Sequence, residues 1–394
     1  MKYDFTTIPD RKGIIALDAA SRFCPNAEDP IPMWIADMSF TLAPPGRKAI
    51  DKRLDQAAFG YYRPGEDYWQ AIINWRKRRE GIEIPRECLG YENGVHGGNI
   101  NALRVLCAAG AKILLHVPAY STFLSNMEML GYHGIFSELK RDEHGVWRMD
   151  FEDTEKKLVE NDIHVLLFCS PQNPTGRVWE RWELERLMDI CRRHDVYVIS
   201  DEIWADLVMP GHQHIPTQSV SEDARSRTVA VYAPSKTFNL AGLVGSYHII
   251  YNPVLRDRVE KEASLSHYNS MNVLSMHALL GAYRPEGYEW VDELNQVLAG
   301  NIEYFCDYVD EHFEGVSYSR PQGTYMVFLD CSEWCREHGR DIQWLLDEGA
   351  RVGVGYQDGR PFHGPCHIRV NLALPLSRVR EACDRLDRYV FNAR

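Results

Sequence analysis

The sequence predicts an α/β protein with a second, smaller α+β unit. Three observations lead there. Short apolar runs alternate with amphipathic helical stretches over roughly the central two thirds of the chain, the pattern of a mostly parallel sheet flanked by helices. After about residue 285 the texture changes to a long helix followed by strands and a further helix. At 394 residues the chain also exceeds one ordinary core, and its 45% hydrophobic content is enough to fill two. The larger domain is drawn over residues 45–285, and residues 1–44 join 286–394 in the smaller one.

Taken in order, the first informative segment is Asn93-Gly-Val-His-Gly-Gly-Asn99, which precedes a helical pattern from Ile100 to Cys107. Backbone amides at such a helix start can cradle a phosphate, although glycine before a helix is commonly only a turn. Strands are expected at Ile113–Val117, Val165–Phe168, Val196–Ile199, Val229–Tyr232 and Ser246–Tyr251, each a short apolar run rich in β-branched or aromatic residues. Between them Arg181–Arg193 has apolar residues at helical spacing. In the last quarter a helix is expected over Tyr288–Phe313, strands over Thr324–Leu329 and His367–Asn371, and a helix over Ile342–Asp347.

Composition narrows the partners. The 44 basic and 56 acidic residues give a net charge of −12 with no basic stripe, which argues against nucleic acid. No apolar run reaches bilayer length, and the first ten residues lack the apolar stretch of a signal peptide, so the cytoplasm is the expected location and no membrane contact is expected. Ten scattered cysteines without a C-x-x-C pair read as reduced thiols. Cys191-Arg-Arg-His194 and His212-Gln-His214 could each supply two metal ligands, but neither has a matching second pair. A solvated helix face and a polar loop explain them better, and no metal is expected. Cys331-Ser-Glu-Trp-Cys335 reads as a loop running into a helix.

The chemistry-bearing residues cluster at strand ends. Lys236 lies in Ala233-Pro-Ser-Lys-Thr-Phe-Asn-Leu-Ala-Gly242, just after an apolar strand; Asp201 ends the strand before Asp201-Glu-Ile-Trp204; Asn173 opens Asn173-Pro-Thr-Gly176 after another. Each piece alone reads as a turn or a cap. Together, a lysine, an acid and an asparagine at strand ends suit pyridoxal phosphate. Its aldehyde takes a lysine amine as a Schiff base, and a carboxylate keeps its pyridine nitrogen protonated. Lysine fits because its pKa falls readily on burial, whereas arginine stays charged.

At these residues the chain resembles the fold-type I aminotransferase family, and within it the cystathionine β-lyase branch of the MalY/PatB type. The matching segments are Trp34-Ile-Ala-Asp-Met-Ser-Phe40, Phe59-Gly-Tyr-Tyr62, Ser170-Pro-Gln-Asn-Pro-Thr-Gly-Arg177, Ser200-Asp-Glu-Ile-Trp-Ala-Asp206, Pro234-Ser-Lys-Thr-Phe-Asn-Leu-Ala-Gly242, Gly323-Thr-Tyr325 and Arg369-Val-Asn-Leu-Ala373. The resemblance runs nearly end to end and implies the fold-type I architecture with Lys236 and Asp201 as catalytic residues. It implies phosphate contacts from the amides of Val95 and His96, with the Ser235 hydroxyl added. Tyr120 would stack on the pyridine face and Asn173 would bond the phenolic oxygen. Tyr61 would reach the phosphate of a neighbouring subunit, which implies a homodimer. Arg369 matches the arginine that holds an amino-acid carboxylate, a role its paired donors suit, and Ala36 and Trp204 would line the same pocket.

The chain departs from that pattern in places. Trp204 replaces a common histidine, Ser39 replaces an aspartate, and Ala233 stands where a hydroxyl is frequent. Val244 lies where aspartate aminotransferases carry an arginine. Fewer phosphate donors follow, and an indole cannot act as an imidazole acid or base, so substrate choice is left open. The expected reaction is carbon-sulfur β-elimination from cystathionine or an S-substituted cysteine. An aminotransferase and a regulatory protein that binds the cofactor remain the alternatives.

Overall fold

The computed structural model describes residues 1–9, 24–27, 29–265 and 270–392. In chain order its strands are β1 (Ile31–Met33), β2 (Leu89–Glu92), β3 (Lys112–Val117), β4 (His133–Glu138), β5 (Lys140–Arg141), β6 (Trp147–Arg148), β7 (Val165–Cys169), β8 (Tyr197–Asp201), β9 (Thr228–Tyr232), β10 (Ser246–Ile249), β11 (Met326–Asp330), β12 (Val354–Asp358) and β13 (His367–Asn371). A seven-stranded sheet has the order β2-β10-β9-β8-β7-β3-β4, and a four-stranded sheet the order β1-β12-β13-β11. In the large sheet β3, β4, β7, β8 and β9 run parallel, and β10 runs antiparallel to both of its neighbours.

Both faces of the large sheet are covered, as a parallel sheet requires. Along β7 the side chains alternate. Val165 and Leu167 join a core with the helices Gly94–Leu106 and Pro253–Ser264, while Leu166 and Phe168 join another with Phe151–Glu160 and Arg181–Arg193. A third core is shared between the sheets, holding Tyr232 and Tyr247 of the large one with Val327, Ile368 and Val370 of the small one.

Seven strands and the helix Arg181–Arg193 lie where the sequence patterning puts them, with ends shifted by at most two residues. The helix near residue 100 begins at Gly94, six residues earlier than its apolar pattern. Of its glycines, Gly98 is there for close packing: a Cβ on it would stand 2.9 Å from Val231 Cγ1 and 3.1 Å from Glu92 Cγ. The pattern missed β2, β12 and the two-residue strands β5 and β6, and also β1, which carries Pro32 on the edge of its sheet, and β4, the half-exposed edge strand His-Gly-Ile-Phe-Ser-Glu.

Two readings of the histidine pairs are corrected. Cys191 is buried in the core rather than on a solvated face, because the helix turns its apolar stripe inward. His214 is buried too, its Nε2 2.8 Å from Glu202 Oε2, because a buried carboxylate needs a partner. No cluster of three metal-ligating groups occurs among the described residues, no described helix is long and apolar enough to cross a membrane, and the ten cysteines are unpaired.

The Gly98 contact is open to test. Gly98→Ala forces a methyl group against a β-branched side chain in a fully packed layer, and should lower unfolding stability by about 1–3 kcal/mol. Urea unfolding of the variant beside the parent measures it, and an unchanged midpoint would show that the layer can yield.

Candidate active site

The parallel register sets the site. Cys169 at the end of β7 pairs with Asp201 at the end of β8, and Asp201 pairs with Val231 of β9, so three strands end together. Chain leaving these ends carries Asn173, Ile203 and Trp204, and Ser235 and Lys236. The N-terminus of the helix Gly94–Leu106 adds Gly94, Val95 and His96. All line one cavity of about 290 Å³, together with Tyr120 and Ala36. Such a crevice at the C-terminal ends of parallel strands is where α/β folds bind ligands.

Lys236 is half-buried, and its Nζ donates to the Ala36 carbonyl at 2.7 Å. Burial pushes the amine down to about 8; Asp37 opposes the shift and Arg369 adds to it. Asp201 is held by the Asn99 amide, which donates to Oδ2 at 3.2 Å, and by the Ile203 N–H, which donates to Oδ1 at 3.2 Å. Burial raises it to about 6 against both of these bonds. The adjacent Glu202 points the other way, accepting from the Ser200 hydroxyl, the Thr217 N–H and the Tyr232 hydroxyl beside His214. The Asp-Glu pair thus divides between cavity and core.

The His96 ring stacks on Tyr120 at 5.5 Å and 18°, and burial together with Lys236 lowers its pKa. Trp204 is buried, edge-on to Tyr325 at 4.9 Å, with Lys236 Nζ 6.0 Å from its ring centre. Arg369 lies behind the cavity wall on β13. It donates to Asn173 Oδ1 at 3.1 Å and to the Trp34 carbonyl at 2.9 Å, and its guanidinium stands 4.5 Å from the Phe362 ring. Burial pushes Arg369 down to about 10, offset by Tyr120 and Tyr325, and its Nε is buried with no hydrogen-bond partner.

Nine of the eleven expected residues therefore line the cavity, and Arg369 reaches it through Asn173. Tyr61 does not: within its own chain it is fully exposed and outside the cavity. Sequence reasoning missed Asn99, Asn239 and Asn371. Asn99 had a faint signal, falling four residues after Val95 and so one helical turn further along the same face.

The donor set fits pyridoxal phosphate. Asp201 is a buried carboxylate with no ion pair to a described residue, which a protonated pyridine nitrogen would complete. Lys236 is an amine brought near neutrality, and a helix N-terminus lines the cavity where an anion is stabilised. Fold and site together define a fold-type I enzyme built around a lysine-bound carbonyl cofactor. Residues 37–386 match the family described as aminotransferase class I and II, and the chain belongs to that family. It is 30% identical to cystathionine beta-lyase PatB of Bacillus subtilis, over 91% of this chain and 92% of that one. It is 31% identical to Protein MalY of Escherichia coli, over 96% of each. Among solved structures, the PLP-bound C-S lyase from Staphylococcus hominis superposes with a TM-score of 0.90 at 30% identity, covering 98% of each chain.

The raised Asp201 gives a pH signature in the cofactor-free protein. A carboxyl whose folded pKa is about 6, against an ordinary 3.8, favours the fold while protonated. Its stabilisation is full below 3.8 and is lost as pH rises to 6. Asp201→Asn should therefore stabilise the cofactor-free chain at pH 8 by about 1–3 kcal/mol and have little effect near pH 3.5. Urea unfolding at both pH values checks this, and equal effects at the two would refute it. For Lys236, acylation of the cofactor-free protein followed by mass spectrometry should show half-maximal reactivity near pH 8 rather than 10.5.

Proposed function

We propose that the protein is a pyridoxal phosphate-dependent carbon-sulfur β-lyase acting on L-cystathionine or related S-substituted cysteines. The net reaction takes the thioether amino acid and one water to a thiol, pyruvate and ammonium. The observation that carries this reading is the shared cavity of Lys236 and Asp201, a depressed amine and an elevated carboxyl at adjoining strand ends. The relatives named for C–S cleavage support the choice of reaction.

When bound, the cofactor supplies an electron sink for the pair left by Cα deprotonation. The rest falls to side chains. Lys236 Nζ takes the Cα proton, and its bond to the Ala36 carbonyl fixes where the amine waits. Asp201 holds a proton on the pyridine nitrogen. Arg369 binds the substrate carboxylate with guanidinium donors already oriented by Asn173 and Trp34. Asn173, Tyr120, Ser235 and the amides of Val95 and His96 hold the cofactor, and Ala36 and Trp204 shape the substrate side. We further propose a cytoplasmic homodimer in which Tyr61 serves the neighbouring site, with residues 45–285 as the large domain and 1–44 with 286–394 as the small one. The full exposure of Tyr61 supports that role.

Pyruvate release from L-cystathionine without any keto acid tests the reaction. Amino transfer only on adding a keto acid would make the protein an aminotransferase, and cofactor binding without either would leave a regulatory role. Lys236→Ala should lower turnover by at least about a thousandfold. For Asp201→Ala, each unit of lost ring basicity corresponds to about 1.4 kcal/mol, so a loss of about a hundredfold or more is expected. Mixing inactive Tyr61→Ala and Lys236→Ala subunits should restore part of the activity if sites are shared. No recovery after demonstrated subunit exchange would place each site within one chain.

A further inference from the structure

A run of consecutive carbonyls passes over the Lys236 amine, and side chains grip it one by one. The Trp34 carbonyl accepts from Arg369 at 2.9 Å. The carbonyls of Ile35 and Asp37 both accept from the Asn371 amide nitrogen, each at 2.6 Å. Between them, the Ala36 carbonyl accepts from Lys236 Nζ. Asn371 is buried two residues after Arg369 on β13, and its Oδ1 accepts from the Ala373 N–H at 2.7 Å. Both amide hydrogens and the amide oxygen are therefore used. Further along, Asn239 donates to the carbonyls of Met38 and Phe40 and fixes the far end of the run.

We propose that Asn371 is a positioning residue for proton transfer: by holding the carbonyls on either side of Ala36 it sets the one carbonyl that orients the Lys236 amine. The inference rests on Lys236 being the proton-transfer group. With both neighbouring planes held, the peptide plane that carries the Ala36 carbonyl keeps only a coupled rotation about Ala36 ψ and Asp37 φ, and the N–H of that plane, on Asp37, donates at 2.9 Å to the Ile35 carbonyl that Asn371 holds, which opposes that rotation. Releasing the Asn371 bonds frees the Ala36 carbonyl to tilt, and the amine then loses its fixed approach to the Cα hydrogen. Misplacement of a reacting group by about 1 Å can cost about a hundredfold in rate.

The test uses the cofactor-loaded enzyme and solvent deuterium exchange at Cα of L-alanine, followed by NMR. L-Alanine has no leaving group, so the readout is the same for a lyase and for an aminotransferase; absence of pyruvate from a thioether substrate would sink the lyase reading and leave this result standing. Asn371→Ala is expected to slow exchange by about thirty- to a hundredfold with L-alanine affinity within about twofold. Asn371→Asp, which keeps the acceptor for Ala373 but loses both donors, should do the same. In the Lys236→Ala background, with exchange restored by added methylamine, Asn371→Ala should change the rescued rate by less than about threefold. Equal losses in both backgrounds would make Asn371 a general structural residue and overturn the proposal. So would unaltered exchange in the single variants, or failure of both to fold, which would make Asn371 a determinant of the fold.

Discussion

Burial of one amine and one carboxylate in the same apolar cavity is the constraint on which this structure turns. Removing either charge from water is costly, and the chain offsets that cost only in part. Asp201 receives two hydrogen bonds, from Asn99 and the Ile203 amide, and Lys236 gives one to a carbonyl. The remainder appears as displaced proton affinities, the amine lower and the carboxyl higher than in water. A protein selected only for stability would not keep this pair. A cofactor that bonds the amine covalently and brings a basic nitrogen to the carboxylate would remove both penalties at once, and their relief would add to its affinity.

The small sheet serves the same cavity from behind. β13 places Arg369 and Asn371 two residues apart, hence on one face of the strand, and both reach the segment that carries Ala36. Arg369 also fixes Asn173 from the large sheet. One strand thereby ties the buried Arg369 to the segment that orients the lysine. The Ser39 N–H donating to the Ala373 carbonyl at 2.8 Å extends the grip past the end of β13.

What could be read from the sequence follows from where each group gets its partners. Lys236, Asp201 and Asn173 were legible because each adjoins an apolar strand, so the local pattern already places it at a strand end. The helix Arg181–Arg193 was legible because its inward stripe is written in its own spacing. Asn99, Asn239 and Asn371 were not, because their bonds run to residues from 102 to 336 positions away and no local pattern marks an asparagine as a clamp. β4 was missed for a related reason: an edge strand with half-exposed faces shows neither alternation nor a continuous apolar run. Gly98 looked like part of a turn because the reason for the glycine, the nearness of Val231, lies on another strand.

Trp204 in place of a histidine changes what the cavity can do with protons. The remaining groups of the wall divide by the direction in which their surroundings push them. His96 is lowered by burial and by Lys236, which disfavours its charged form. Cys169 is pushed well up by burial and by Asp201, which disfavours its thiolate. Trp204 contributes an indole, which can donate a hydrogen bond but cannot exchange a proton at such pH. Asp201, near 6, is bonded on both oxygens. Lys236, near 8, is the group poised to change charge under working conditions. An imidazole at the position of Trp204 would have offered a further carrier, and on the proposed mechanism the burden of moving the Cα proton falls on a single amine. That concentrates the geometric demand on whatever fixes that amine, which in this chain is one backbone carbonyl held between two others.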